Sequence, residues 1–386
     1  MRGTHGTRTH RGGGVPGFVA MALLAAFATA AQAVGFSATG SLATARRLHV
    51  AVALTSGKVL VAGGYGATGS DLDSAELYDP ATGLWSSAGT FVGARFWHAG
   101  SALAAGKALV IGGENNQGQT LGSVELYDST LNAWSPVAAL GTARYNHAAI
   151  MLSSGKVLVV GGQDSSGAVL SSCELYDPAA NTWASTSGSL NAARYLATVT
   201  LLVSGKVLVV GGYGSSGSPL ASAEVYDPAM ESWTTTGAIG ASLVGHAATL
   251  LPSGKVLVTG GMGPLFSAEL YDPAQNSWSS AASMHDARQD HTATLLSTGL
   301  VLVAGGDQGP TAPLSGAELY DPVKDAWSSA GTLATARYGH TADVLPSGQV
   351  LITAGFTGSS TLDSAELYTA DRIFADNFDG TQTAYP

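Results

Sequence analysis

The sequence predicts an all-β chain closed into a ring of seven four-stranded antiparallel blades, a β-propeller. Three observations predict it. First, a glycine pair recurs as Gly63-Gly64, Gly112-Gly113, Gly161-Gly162, Gly211-Gly212, Gly260-Gly261 and Gly305-Gly306, with Ala354-Gly355 as a seventh copy. The copies start 49, 49, 50, 49, 45 and 49 residues apart, and a period of about 50 residues built of short strands marks a propeller or a repeat array. Second, the same strand and turn signals stand around each pair. Third, the aromatic missing from the seventh copy is found at the other end of the chain.

Residues 143–183 show one copy in full. The first strand follows Arg144-x-x-His147 and ends near Leu152. Ser154-Gly155-Lys156 is a tight turn, where glycine takes a positive φ without steric cost. Residues 156–160, an unbroken run of Val and Leu after Lys156, suit a strand covered on both faces. The third strand, Cys173-Glu174-Leu175-Tyr176, ends at Asp177-Pro178. Proline cannot donate to a ladder, and Asp bonds the turn backbone. The fourth strand is centred on Trp183. From the second glycine to the Glu of strand three is 12 residues in five copies, 11 in the last and 8 between Gly261 and Glu269. The four lost residues fall in a loop and leave the strands untouched.

The glycine pair, a Tyr 14 residues on (Gly162 to Tyr176) and a Trp seven beyond (Trp183) resemble the kelch repeat, and the resemblance covers residues 36–368. It implies a seven-bladed kelch propeller. It implies no particular activity, because kelch propellers serve as binding modules, scaffolds and, in a few cases, enzymes. The repeat Trp occurs six times, at Trp85, Trp134, Trp183, Trp233, Trp278 and Trp327. Phe36 lies ten residues before Arg46, as Trp85 lies ten before Arg95. The N-terminal strand is therefore expected to complete the last blade and cover its open edge. Ile373-Phe374 is the competing strand, with a poorer match in spacing.

Residues 1–33 read as a secretory signal. Arg2, Arg8 and Arg11 form a basic start, an apolar stretch follows, and Ala31-Gln32-Ala33 is an A-x-A cleavage site. The stretch is short for a membrane span, and glycine and polar residues interrupt every later apolar run. The expected organisation is a leader, 1–33, a propeller, 34–370, and an acidic tail, 371–386, in which Asp371, Asp376 and Asp379 surround Ile373, Phe374 and Phe378. The expected location is secreted, extracellular or periplasmic, and the Ala-rich, Arg-bearing leader is of a bacterial kind. Without the three leader arginines, 14 basic residues face 27 acidic ones, a balance of −13. No basic cluster remains, which argues against a nucleic-acid partner. The single cysteine, Cys173, cannot form an internal disulfide and reads as a small buried strand residue.

The most chemical feature is Arg-x-x-His: Arg46/His49, Arg95/His98, Arg144/His147, Arg288/His291 and Arg337/His340, with Arg194/Ala197 and Leu243/His246 as broken copies. Six equivalent histidines could be drawn as a metal ring. Inner-strand side chains of a propeller, however, point into the gaps between blades, so no metal site and no cofactor is expected. The strand-three glutamates, Glu76, Glu125, Glu174, Glu224, Glu269, Glu318 and Glu366, are the natural partners and would fix blade register.

Binding is assigned to the face where strand one begins, through Arg46, Arg95, Phe96, Trp97, Arg144, Tyr145, Arg194, Tyr195, Arg337 and Tyr338. The variable loops after the glycine pairs lie there too, residues 65–74, 114–123, 163–172, 213–222, 262–267, 307–316 and 356–364, rich in Gly, Ser, Asn and Asp. Adaptable loops on a rigid scaffold are where binding usually lives. Aromatics with Arg and amides suit sugar rings or peptide chains.

The resemblance raises one enzyme family, the copper-radical galactose oxidases, which need Tyr and His copper ligands and a Cys cross-linked to a Tyr. Here Cys173 sits in a regular strand, and the histidines follow the repeat. No Gly-rich phosphate loop, His-Glu-x-x-His or Gly-x-Ser-x-Gly motif is present. The expected function is a secreted, non-catalytic propeller that binds an extracellular protein or a glycan. The alternatives are a galactose oxidase-like copper enzyme and a structural envelope protein held by its tail.

Overall fold

The computed structural model describes residues 34–370, except 264, 310 and 311, together with residues 1 and 3. Ile373-Phe374 and the Ala31-Gln32-Ala33 site expected to end a leader lie outside the described residues. Residues 34–370 form seven four-stranded antiparallel sheets, one per repeat. In the third blade, Ala148–Met151, Val157–Val160, Cys173–Asp177 and Thr182–Ser185 pair in sequence order, with Ala148 opposite Val160, Val159 opposite Glu174 and Tyr176 opposite Trp183. Among the described residues no helix is long and apolar enough to cross a membrane.

The first strand of every blade touches the first strands of both neighbours, and these contacts run right round from the seventh blade to the first. The first strands therefore surround the axis. The second strands are buried along their Val and Leu runs, as in Val59–Ala62, Val207–Val210 and Val350–Thr353. Both faces are covered because each lies between two neighbours. Leu103, Leu109, Ile111 and Val124 of the second blade pack with Val157, Val159 and Tyr176 of the third. Each such burial contributes about 1.5–3 kcal/mol. Because each cluster is shared by two blades, the ring is the stable unit.

The N-terminal strand closes the ring. Gly35–Ala38 pairs with Ala365–Thr369, with Phe36 opposite Tyr368. Their ring centres are 5.0 Å apart, against 4.9–5.1 Å for the Tyr–Trp pairs of the six other blades. Phe36 thus takes the place of the seventh Trp. Trp85, Trp134, Trp183 and Trp327 each donate an indole N–H to a carbonyl of the preceding blade at 2.7–2.8 Å, a bond that Phe36 cannot make.

The glycine pairs clamp each blade to the next. The amide of the second glycine donates to the carbonyl of the next blade's arginine: Gly64 to Arg95 and Gly113 to Arg144, both at 2.9 Å. At the first glycine the approach leaves no room. Gly112 has a φ of 58°, and a Cβ there would lie 2.6 Å from the Arg144 carbonyl oxygen. Glycine satisfies both demands.

Candidate functional site

Arg-x-x-His divides at every blade, its outer residues turning inward. Arg46, Arg95, Arg144, Arg194, Arg288 and Arg337 are at most 1% exposed. Each meets the strand-three glutamate of its own blade at 2.7–2.9 Å. Arg144 spends all five of its donors internally, on Thr142 O, Gly161 O, Ser172 O, Ser172 Oγ and Glu174 Oε1. Glu174 in turn accepts from the amides of Gly141 and Thr142 at 2.6 and 3.1 Å. The expectation that Arg46, Arg95, Arg144, Arg194 and Arg337 touch a ligand is therefore corrected. Their guanidinium groups are buried and bonded within the blade, where they hold three strands in register. In the fifth blade Leu243 replaces the arginine and packs with Leu202, Leu208 and Val256.

The six histidines are buried as well, at 6–8% exposure. Five reach back through Nε2 to the preceding blade: His49 to Thr341 Oγ1 and His98 to the Ala62 carbonyl at 3.2 Å, His246 to Thr198 Oγ1 and His291 to Thr259 Oγ1 at 2.9 Å, and His340 to Thr292 Oγ1 at 3.0 Å. Burial, first, and the nearby arginine pull His98, His147 and His340 down to about 3. Burial pulls His246 down to about 4. His49 and His291 lie well below the usual imidazole value for the same reasons. These are neutral rings that bolt blade to blade.

The middle two residues of the tetrapeptide face the loops. The third takes a positive φ in all seven blades: Leu48 55°, Trp97 53°, Asn146 53°, Leu196 55°, Gly245 65°, Asp290 50° and Gly339 57°. Backbone bonds join four neighbouring pairs of them about the axis. The amide of Asn146 donates to the Trp97 carbonyl and that of Leu196 to Asn146, both at 2.9 Å; Asp290 donates to Gly245 at 2.8 Å and Gly339 to Asp290 at 3.1 Å. These seven residues form the rim of the axial mouth. Leu48, Trp97 and Leu196 are 37%, 36% and 44% exposed. A left-handed φ costs a bulky residue about 1–2 kcal/mol, and such strain gathers at functional sites.

The rim is lopsided. Blades one to four contribute Leu48, Trp97, Asn146 and Leu196; blades five to seven contribute Gly245, Asp290 and Gly339. Blades five and six stand across the axis from blade two, and the fifth blade has the shortened loop. The mouth is thus walled on one side and low on the other. Asp290 is exposed at the rim. Lost hydration, with Asp307 as a second cause, nevertheless pushes its carboxyl up to about 6.

The second residue of each tetrapeptide pairs with the residue after the glycine pair, as Arg47 with Tyr65, Tyr195 with Tyr213 and Tyr338 with Phe356. A chain of rings results, with the Arg47 guanidinium as one of its links. Tyr338 meets Phe356 at 5.6 Å between ring centres. The Arg47 guanidinium carbon lies 4.0 Å from the centre of Phe356 and 5.3 Å from that of Tyr65. Tyr65 meets Phe96 at 5.4 Å, Phe96 meets Trp97 at 4.7 Å, and Trp97 stacks on Tyr145 at 5.9 Å. This crescent spans blades seven, one, two and three. Tyr195 stacked on Tyr213 at 5.2 Å stands in blade four. Trp97 is exposed, and Tyr145, Tyr195 and Tyr338 are half-buried. Phe96, expected to contact a ligand, is 9% exposed and instead supports Tyr65 and Trp97.

Two rim features were not among the sequence expectations, Arg47 and Asp290. The signal for them is the variation of the two middle positions of Arg-x-x-His between an almost fixed first and last. A cavity of about 780 Å³ lies elsewhere, between blades four and five on the opposite, turn face, lined by Leu202, Lys206, Asp227, Lys255 and Asp272 among others. Its Lys206–Asp227 and Lys255–Asp272 pairs recur in other blades, as Lys58–Asp79 and Lys156–Asp177. Its charges are therefore those of the repeat and do not single it out.

Comparison with known proteins agrees with this architecture. No curated protein matches the chain significantly. A fungal alcohol oxidase of the AA5 family, solved in complex with copper, is similar in fold, with a TM-score of 0.71 over 88% of this chain and 77% of its own at 20% identity. The kelch motif matches residues 46–91. The attractin/LZTR1 β-propeller family matches residues 108–364, more than half of the sequence, and the chain belongs to that family of kelch-type propellers.

Proposed function

We propose that this chain is an exported, non-catalytic propeller that binds a carbohydrate at the mouth on its loop face. The observation that carries the reading is the aromatic crescent from Tyr338 to Tyr145, with Trp97 exposed at its centre. The apolar face of a sugar ring stacks on such rings, and side chains such as Asn146 and Asp290 offer partners to its hydroxyls. The crescent is held by its own contacts, so little side-chain freedom is lost on binding. The six Arg–Glu pairs and six histidines below it serve the scaffold, which leaves the rim free to vary.

A copper oxidase fits the residues poorly. Among the described residues no three of His, Cys, Asp and Glu converge closely enough to hold a metal ion. Cys173 is buried in a cluster with Leu152, Leu158 and Leu190, and that burial pushes its thiol up to about 12. Five of the six repeat histidines already use Nε2 to join blades.

The purified protein on a broad glycan array tests the proposal, with Trp97→Ala as control. A defined family of hits, weakened about tenfold or more in the variant at unchanged melting temperature, is the expected result. A blank array would end the carbohydrate reading and turn attention to an extracellular protein partner.

A further inference from the structure

We infer that the mouth selects a carboxylate-bearing sugar chain, one containing uronic acid residues, and that Arg47 is the group that reads it. This rests on the carbohydrate reading above and narrows it to an acidic ligand.

Among the described residues Arg47 is the one arginine without a carboxylate within ion-pair distance; the other six each have one at 2.7–2.9 Å. Its backbone is fixed by the pairing of Arg46–Arg47 with Tyr65–Gly66. Its guanidinium is stacked 4.0 Å from the centre of the Phe356 ring and leans towards Tyr65 at 5.3 Å. Its Nε is buried without an acceptor. Two rings therefore flank the cation, and with Nε buried it is the Nη1 and Nη2 donors that remain to be used.

Such a donor fork matches the planar carboxylate, bidentate and charge-assisted. The rings hold the fork in place beforehand, which lowers the entropy lost on binding. The position also suits a sugar. Arg47 interrupts the aromatic crescent between Phe356 and Tyr65, so a ring stacked on the adjoining aromatics would bring its substituents to the guanidinium. In blade order Tyr338 separates Arg47 from Asp290 and Asp307, which keeps the acidic part of the rim one blade away from the proposed anion site.

The test uses hexasaccharides of galacturonate, alginate and hyaluronan beside their carboxyl-reduced, neutral counterparts and a sulfated neutral chain of the same length. Affinities are measured by calorimetry on the whole protein. The wild type should bind at least one acidic chain about tenfold or more tighter than its reduced form. Arg47→Met should abolish that preference while still binding the reduced form, and Arg47→Lys should restore it in part. Equal affinity for acidic and reduced chains, or a preference that survives Arg47→Met, overturns the inference and leaves the carbohydrate reading standing. So does equal binding of the sulfated chain, which would mark a general anion site. No binding to any glycan on the array or in this set overturns both. The comparison of acidic and reduced chains needs no variant, so it holds even if Arg47→Met folds poorly.

Discussion

Arg144 and Tyr145 are neighbours in sequence and belong to different worlds. The first is fully buried, bonded through every donor and repeated in six blades. The second lies half-buried on the loop face, stacked on Trp97, and its equivalents are Arg, Phe, Tyr, Val, Gln and Tyr. The same tetrapeptide builds both tiers: first and fourth residues hold the ring, second and third form the mouth. The left-handed turn at the third residue separates them. Wherever a repeat protein must carry a single site, the repeat can be kept in one set of positions and broken in the next.

The largest effect should come from breaking the lower tier. Arg144→Ala leaves Glu174 buried beside two amides and no cation, a loss of about 3–5 kcal/mol. Denaturant unfolding would show it, and Glu174→Gln in the same chain should recover part of the loss. An unchanged midpoint would mean that the ion pairs do not hold the register.

Acid should act on the same tier more gradually. The buried histidines are held near 3–4 in the fold, against about 6.5 in an unfolded chain. Their contribution is complete above about pH 6.5 and is lost as pH falls towards the folded values, because only the unfolded chain takes up protons in that window. Asp343 works the other way. Burial pushes its carboxyl up to about 7, so its penalty fades as pH drops below neutrality. Asp290, pushed up to about 6, acts in the same sense as Asp343, but six imidazoles against these two carboxyls give a net decline, and melting temperature should fall between pH 7 and 4. A flat profile over that range would contradict the burial of the histidines.

The smallest effect belongs to the rim. Leu196→Ala removes an exposed side chain and should change stability by no more than about 0.5 kcal/mol in the same unfolding experiment. A loss well above that would show that the two tiers are not independent.

The fold was legible in the sequence down to single residues. Period, turn and Trp spacing located all seven blades, and the ten-residue offset of Phe36 located the closing strand. The partnership of the Arg-x-x-His arginines with the strand-three glutamates was legible for the same reason, since both recur. The mouth was harder to read. By residue type Arg95-Phe96-Trp97 reads as one binding stretch, whereas the backbone turns Arg95 inward, uses Phe96 as support and presents only Trp97. Spacing reports which residues are equivalent, but not where a residue at positive φ aims its side chain. The proximity of Phe356 and Tyr65 to Arg47 joins the seventh blade to the first, and no local pattern carries it.

The pairing of Gly35–Ala38 with Ala365–Thr369 also sets an order in time. Phe36 and Tyr368 are 332 residues apart, so the strand that finishes the ring is made first and its partner last. Blades one to six can stack as they emerge, since each needs only its neighbour. The first strand waits unpaired through all of synthesis. Distance is not the obstacle, because closure entropy grows only with the logarithm of length. Until that strand docks, Trp85 also lacks its acceptor at Gly40. A chain stopped short of Thr369 would therefore leave an exposed edge on the nascent ring and a loose strand that fits the same edge on another copy, a template for strand exchange between molecules.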